Sequence, residues 1–129
     1  MTDLAAWLLD RIADDEAVAR AATPGPWYVN SEDYAEAIYA PDGSSPVAGG
    51  RWGGEASVFD SDETAAHIAR HDPARVLAEC AAKRRIVKAY EFETDTPPDG
   101  TDQPPAMALR LLALPYSDRD GYDPAWAVE

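Results

Sequence analysis

Residues Thr23-Pro24-Gly25-Pro26-Trp27 decide how this chain folds. Pro24 has no amide hydrogen and disfavours helical geometry at Thr23, Gly25 accepts a positive φ, and Pro26 prevents a helix from resuming. Any helix before Thr23 must end there, and the chain must turn sharply. On the N-terminal side, Asp3 to Ala22 places Leu4, Leu8, Ile12 and Ala19 at three-to-four spacing with Leu9 and Val18 beside them, while Asp10, Asp14, Asp15 and Glu16 fall mostly elsewhere. That is the period of an amphipathic helix, with Thr2 as its N-cap and Asp3 in the first turn at the positive end of the helix dipole.

On the C-terminal side the pattern shortens. Four strands are predicted, near Trp27 to Asn30, Glu36 to Ala40, Pro46 to Gly49 and Ser57 to Phe59, separated by turn residues. Pro41-Asp42-Gly43 is the firmest of the turns, since Pro presets φ and Gly takes the left-handed conformation. Gly49 to Gly54 reads as a loop carrying Arg51 and Trp52 between glycine pairs. A sheet of such short strands needs a helix against its apolar face.

A second corner is written in His71-Asp72-Pro73. Before it, Asp62 to Arg70 reads as a short helix with Ala65, Ala66, Ile68 and Ala69 as a small-residue face and Ser61 or Asp62 as its cap. Asp72 is then the N-cap and Pro73 the first residue of a long helix running to about Tyr90 or Glu93. Its predicted buried side is Val76, Leu77, Cys80, Val87 and Tyr90. Thr94 to Pro105 is a Pro-rich linker loop, and Ala106 to Leu114 is a short buried helix stopped by Pro115. Residues 116–129 form a polar tail that Tyr116, Tyr122 and Trp126 can pin to the body.

These pieces add up to a single α+β domain over residues 1–129, a small antiparallel sheet packed with the N-terminal helix, the long central helix and the short C-terminal helix. A chain of 129 residues buries roughly two thirds of its extended surface, enough for a core without metals or disulfides. Cys80 is the one cysteine, so no intrachain disulfide can form. No apolar run approaches the roughly 20 residues that span a bilayer, and Asp3 stands where a signal peptide wants positive charge. A soluble, cytoplasmic protein with no membrane partner is therefore expected.

Charge is distributed unevenly. The chain carries -13 overall, yet between Arg70 and Tyr90 the bases Arg70, Arg75, Lys83, Arg84, Arg85 and Lys88 stand against Asp72 and Glu79, a local +4. An acidic body repels phosphates over most of its surface, which disfavours direct nucleic-acid binding. Arg84, Arg85 and Lys88 lie within one turn of one another and can form a local anion site, with Trp27 or Trp52 stacking a base. The blander reading is that they answer the protein's own carboxylates near a helix C-terminus. Asp10, Asp14, Asp15 and Glu16 on the first helix can in turn be a solvated face, or an acidic contact face that mimics nucleic-acid phosphates.

Other chemistry is sparse. His67 and His71 have ligand spacing, but zinc wants three or four donors, no H-E-x-x-H pattern exists, and the Asp72-Pro73 break falls where His71 sits. No metal or other cofactor is expected, with the two histidines as the weak candidates. Cys80 reads as a small buried thiol. No nucleophile elbow, phosphate-cradling loop or dinucleotide fingerprint occurs, and the carboxylates are too numerous to single out an acid–base pair, so the reading leans against an enzyme.

Four motifs in order, Ala19 to Trp27 (ARAATPGPW), Ala65 to Leu77 (AAHIARHDPARVL), Lys83 to Ile86 (KRRI) and Leu109 to Tyr116 (LRLLALPY), resemble a family of short uncharacterised proteins of actinobacteria and their phages. More loosely, the arrangement is similar to phage early accessory proteins. The resemblance implies a phage or prophage origin or a host relative, a cytoplasmic setting and no catalytic residues. The expected function is a non-enzymatic accessory protein that binds a host or defence protein through the acidic first helix or through the Trp52 loop. The alternatives are a binder that sequesters an anionic nucleotide or metabolite, and an acidic nucleic-acid mimic.

Overall fold

The computed structural model describes residues 3–30, 37–41, 43, 46–48, 62–94 and 104–128. Helix α1 spans Leu4–Ala21. Its cap is Asp3, whose Oδ1 accepts the Ala5 amide at 3.0 Å, so the predicted cap at Thr2 moves one residue on. An aspartate at this position satisfies an orphan amide and places its charge at the positive end of the dipole. Strands β1 (Tyr28–Asn30), β2 (Ala37–Tyr39) and β3 (Pro46–Ala48) follow, then α2 (Asp62–Arg70), α3 (Pro73–Tyr90) and α4 (Met107–Ala113). Two 3-10 turns, Leu114–Tyr116 and Pro124–Trp126, close the chain. The Ser57 to Phe59 strand, the Arg51-Trp52 loop and most of the Thr94 to Pro105 linker lie outside the described residues.

Two compact units divide the chain, Glu16–Glu79 and Met1–Asp15 with Cys80–Glu129. In the first, β1, β2 and β3 form an antiparallel meander in sequence order, with Val29 opposite Ile38 and an irregularity between Ile38 and Tyr39. Gly43 takes φ 65° and its amide donates to Ala40 O at 2.9 Å, as the predicted turn requires. The helix seated on β1 and β2 is α2, so the cover that a three-stranded sheet needs comes from the small-residue helix. Ile38, Tyr39, Ala40, Ala65 and Ala69 are buried in this unit. Small side chains at Ala65 and Ala69 let a short helix lie close to the strands.

In the second unit Leu4, Trp7, Leu8, Ile12, Cys80, Val87, Leu109, Ala113, Tyr116 and Trp126 are buried. Each fully buried Leu or Ile contributes about 1.5–3 kcal/mol. The tail is pinned as expected, because Trp7 packs edge-on against Tyr116 and at a tilt against Tyr122 and Trp126, with ring centroids 6.5, 5.8 and 5.3 Å away. Its indole Nε1 donates to Asp120 O at 3.0 Å. Burial along α3 and α4 differs from the reading above. Cys80 and Val87 are buried, but Val76 and Leu77 are only half-buried and Tyr90 is exposed, while Met107 and Leu111 leave the face of α4 that buries Leu109 and Ala113. Helical period identifies which side chains share a face; it does not say where along the helix its cover stops. No described helix is long and apolar enough to cross a membrane.

Candidate functional site

The two corner motifs meet at one carboxylate. Asp72 is buried, and its Oδ1 accepts the Arg75 amide at 2.8 Å as the N-cap of α3, while Oδ2 accepts the Trp27 amide at 2.7 Å. Both bonds are charge-assisted, and the carboxylate sits at the positive end of an 18-residue helix. Gly25 permits this approach, since a Cβ there would lie 2.8 Å from Asp72 Oδ2 and 3.1 Å from the Ala74 Cβ. Trp27 is half-buried and its Nε1 donates to Thr23 O at 3.0 Å. The chemistry of this corner is structural: its polar groups are consumed in holding the turn.

The acidic residues of α1 do not form one row. Asp10 and Asp14 are exposed, and Asp14 pairs with Arg11 at 2.9 Å. Asp15 faces inward, where Oδ2 accepts the Tyr116 hydroxyl at 2.8 Å and Oδ1 lies 3.5 Å from Arg119. Lys83 Nζ donates to the same hydroxyl at 3.3 Å. Burial pushes the Tyr116 phenol well above its ordinary pKa, and the hydrogen bond to Asp15 and that residue's negative charge push the same way, against Arg119. Glu16 is buried. A mimic of a phosphate row needs solvent-facing carboxylates at regular spacing, and Asp10 and Asp14 alone supply them here.

The basic residues of α3 gather better. Arg84, Arg85, Lys88 and Ala89 line an open depression of ≈ 570 Å³. Exposed Lys88 also lies 3.7 Å from the half-buried Glu91. Around the same end of the helix, Ile86, Tyr90 and Phe92 are exposed, Phe92 to 90%. The sequence reading missed this apolar group because it assigned Tyr90 to the core. The available signal was Phe92 standing between Glu91 and Glu93 just past the helix end, a large ring with charged neighbours. Backbone bonding fixes this end, since the Glu93 amide donates to Tyr90 O and the Ala106 amide to Glu93 O. Trp52 and Arg51, the other contact residues expected, lie outside the described residues.

His67 and His71 also come together, with ring centroids 4.3 Å apart and planes tilted by 37°. The Asp72-Pro73 break does not separate them, because the His71 amide still donates to His67 O at 3.2 Å and the helical path continues to that residue. Among the described residues no group of three or more His, Cys, Asp and Glu side chains converges as a metal site.

Fold and site together define an α+β protein whose best-assembled candidate surface is open, cationic and apolar. By sequence the chain belongs to DUF6221, a family of unknown function, whose model matches residues 1–128. No curated protein and no solved structure matches it.

Proposed function

We propose that this is a non-enzymatic accessory protein of the phage or prophage type that binds a host or defence protein, and that it does so through the C-terminal end of α3. Two observations support this reading: Arg84, Arg85 and Lys88 line one depression, and Ile86, Tyr90 and Phe92 are exposed at the same end of the helix. Arg and aromatic side chains are the residue types that anchor interfaces, and a ring as exposed as Phe92 gains most from burial against a partner. Cations on an otherwise acidic molecule select an acidic partner surface and orient the encounter. The resemblance of the four sequence motifs to uncharacterised proteins of actinobacteria and their phages, and the looser similarity to phage early accessory proteins, support the phage setting.

The test is affinity capture from host lysate with the wild-type chain, Phe92→Ala and the Arg85→Glu/Lys88→Glu pair, read by mass spectrometry. The expected result is a partner retained by wild type, depleted by both variants, and released as salt is raised, because screening weakens charge complementarity. A partner retained equally by all three chains removes α3 from the interface.

The same cations favour a second reading, capture of an anionic small molecule. Ligand sites for small molecules are usually concave and enclosed, and the depression is open, so the macromolecular reading ranks first. A thermal-shift panel of nucleotides and phosphorylated metabolites decides between them: a rise in Tm with one compound, lost in the Arg85→Glu/Lys88→Glu variant, would establish the small-ligand role.

A further inference from the structure

We propose that His67 and His71 form a two-imidazole site for a divalent transition metal, with Cu2+ the preferred ion. Both side chains are exposed, one helical turn apart, with ring centroids 4.3 Å apart and planes tilted by 37°. The tautomer of His71 is set by its surroundings. Its Nδ1 lies 2.8 Å from His67 O, and a carbonyl oxygen only accepts, so in the neutral ring Nδ1 carries the proton and Nε2 the lone pair. A metal-binding histidine is typically held in this way, with the second ring nitrogen donating to a backbone carbonyl that fixes the ring's orientation. The bond therefore both orders the ring and presents a ligand nitrogen.

The pair lines an open depression of ≈ 370 Å³ together with Glu63, Ala66, Arg70 and Arg75. Glu63 precedes His67 by one turn, but no third donor converges on the pair among the described residues, so water completes the coordination sphere. Arg75 is occupied by Glu79, whose Oε1 accepts from its Nε at 2.8 Å. Arg70 and Arg75 are cations at the rim and weaken binding of any metal, which sets a premium on ions with the highest intrinsic affinity for imidazole. In the order Ni2+ < Cu2+ > Zn2+ that ion is Cu2+, and a two-nitrogen site with open positions also suits its tetragonal preference better than the closed tetrahedron of structural zinc.

Titration of the full chain with Cu2+, Ni2+ and Zn2+ in a non-coordinating buffer tests this, with calorimetry for affinity and the histidine ring signals in NMR for location. The expected result is selective broadening by Cu2+ and Ni2+ of the His67 and His71 rings, and tightest binding for Cu2+. His67→Gln and His71→Gln, both exposed changes, should each lower Cu2+ affinity by roughly tenfold or more, and Glu63→Gln should leave it within about twofold, as the two-donor geometry demands. Ring signals that none of the metals perturbs, or Cu2+ affinity unchanged in the His67→Gln/His71→Gln double variant, would overturn the site. A tenfold loss in Glu63→Gln would overturn its two-imidazole form.

Discussion

Asp72 connects two motifs that are 45 residues apart, because one carboxylate caps α3 and also receives the Trp27 amide. Replacing it with alanine removes a cap worth about 0.5–2 kcal/mol and leaves a part-buried amide at Trp27 unpaired, a further cost of about 1–3 kcal/mol. Asp72→Ala should therefore lower the urea midpoint markedly, and Asp72→Asn, which keeps an acceptor, should lower it less. Gly25→Ala tests the same corner from the other side. Its Cβ would stand 2.8 Å from Asp72 Oδ2, and overpacking of this kind costs typically about 1–3 kcal/mol; an unchanged midpoint in this variant would mean the corner yields easily. Tyr116 makes a prediction about pH. Its pKa in the folded chain lies above that in the unfolded chain, so the neutral phenol stabilises the fold fully below about pH 10, and that contribution fades as pH rises further. Tyr116→Phe should cost about 1 kcal/mol at neutral pH through the lost bond to Asp15 and should flatten the alkaline decline in Tm.

Among the helices, α1 and α3 show why charge pattern and burial pattern have to be read together. On α1 the acidic residues look like one cluster in sequence, yet Asp15 turns to Tyr116 and Arg119, and Glu16 is buried. On α3 the cations stay together because Arg84 and Lys88 are a full turn apart, and with Arg85 they line one depression. The aromatic cage is the strongest test of α1: Trp7 touches Tyr116, Tyr122 and Trp126, so Trp7→Ala should cost about 3–5 kcal/mol. Amide hydrogen exchange over residues 116–128 should speed up in that variant by more than over β1 and β2. Equal loss across both regions would show that the cage does not hold the tail locally.

For the molecule as a whole, the net charge of -13 carries its own expectation. Self-repulsion opposes the folded state, and added salt screens it. The Tm should rise by a few degrees between low and physiological ionic strength, and a fall instead would mean that attractive pairs such as Arg11 with Asp14 dominate. How much of this was legible beforehand depends on the range of the interaction. The stop at Thr23 to Pro26, the start at Asp72-Pro73 and the turn before Gly43 are set by φ preferences and missing donors within a few residues, and the sequence carries them openly. The α+β class followed from those signals. The partner of Asp72, the inward turn of Asp15 and the exposure of Tyr90 depend on residues far along the chain, and no local period encodes them. The meeting of His67 and His71 lies between these cases: their spacing was visible, but the fate of the helix at His71 was not.

The cage around Trp7 also has a consequence during synthesis. The carbonyl that receives its indole belongs to a residue 113 positions later, and at about 5–20 residues per second the ribosome needs on the order of ten seconds to reach it. Through that interval Trp7 has no cage to enter, and its indole stays in water until Tyr116, Asp120, Tyr122 and Trp126 have been made.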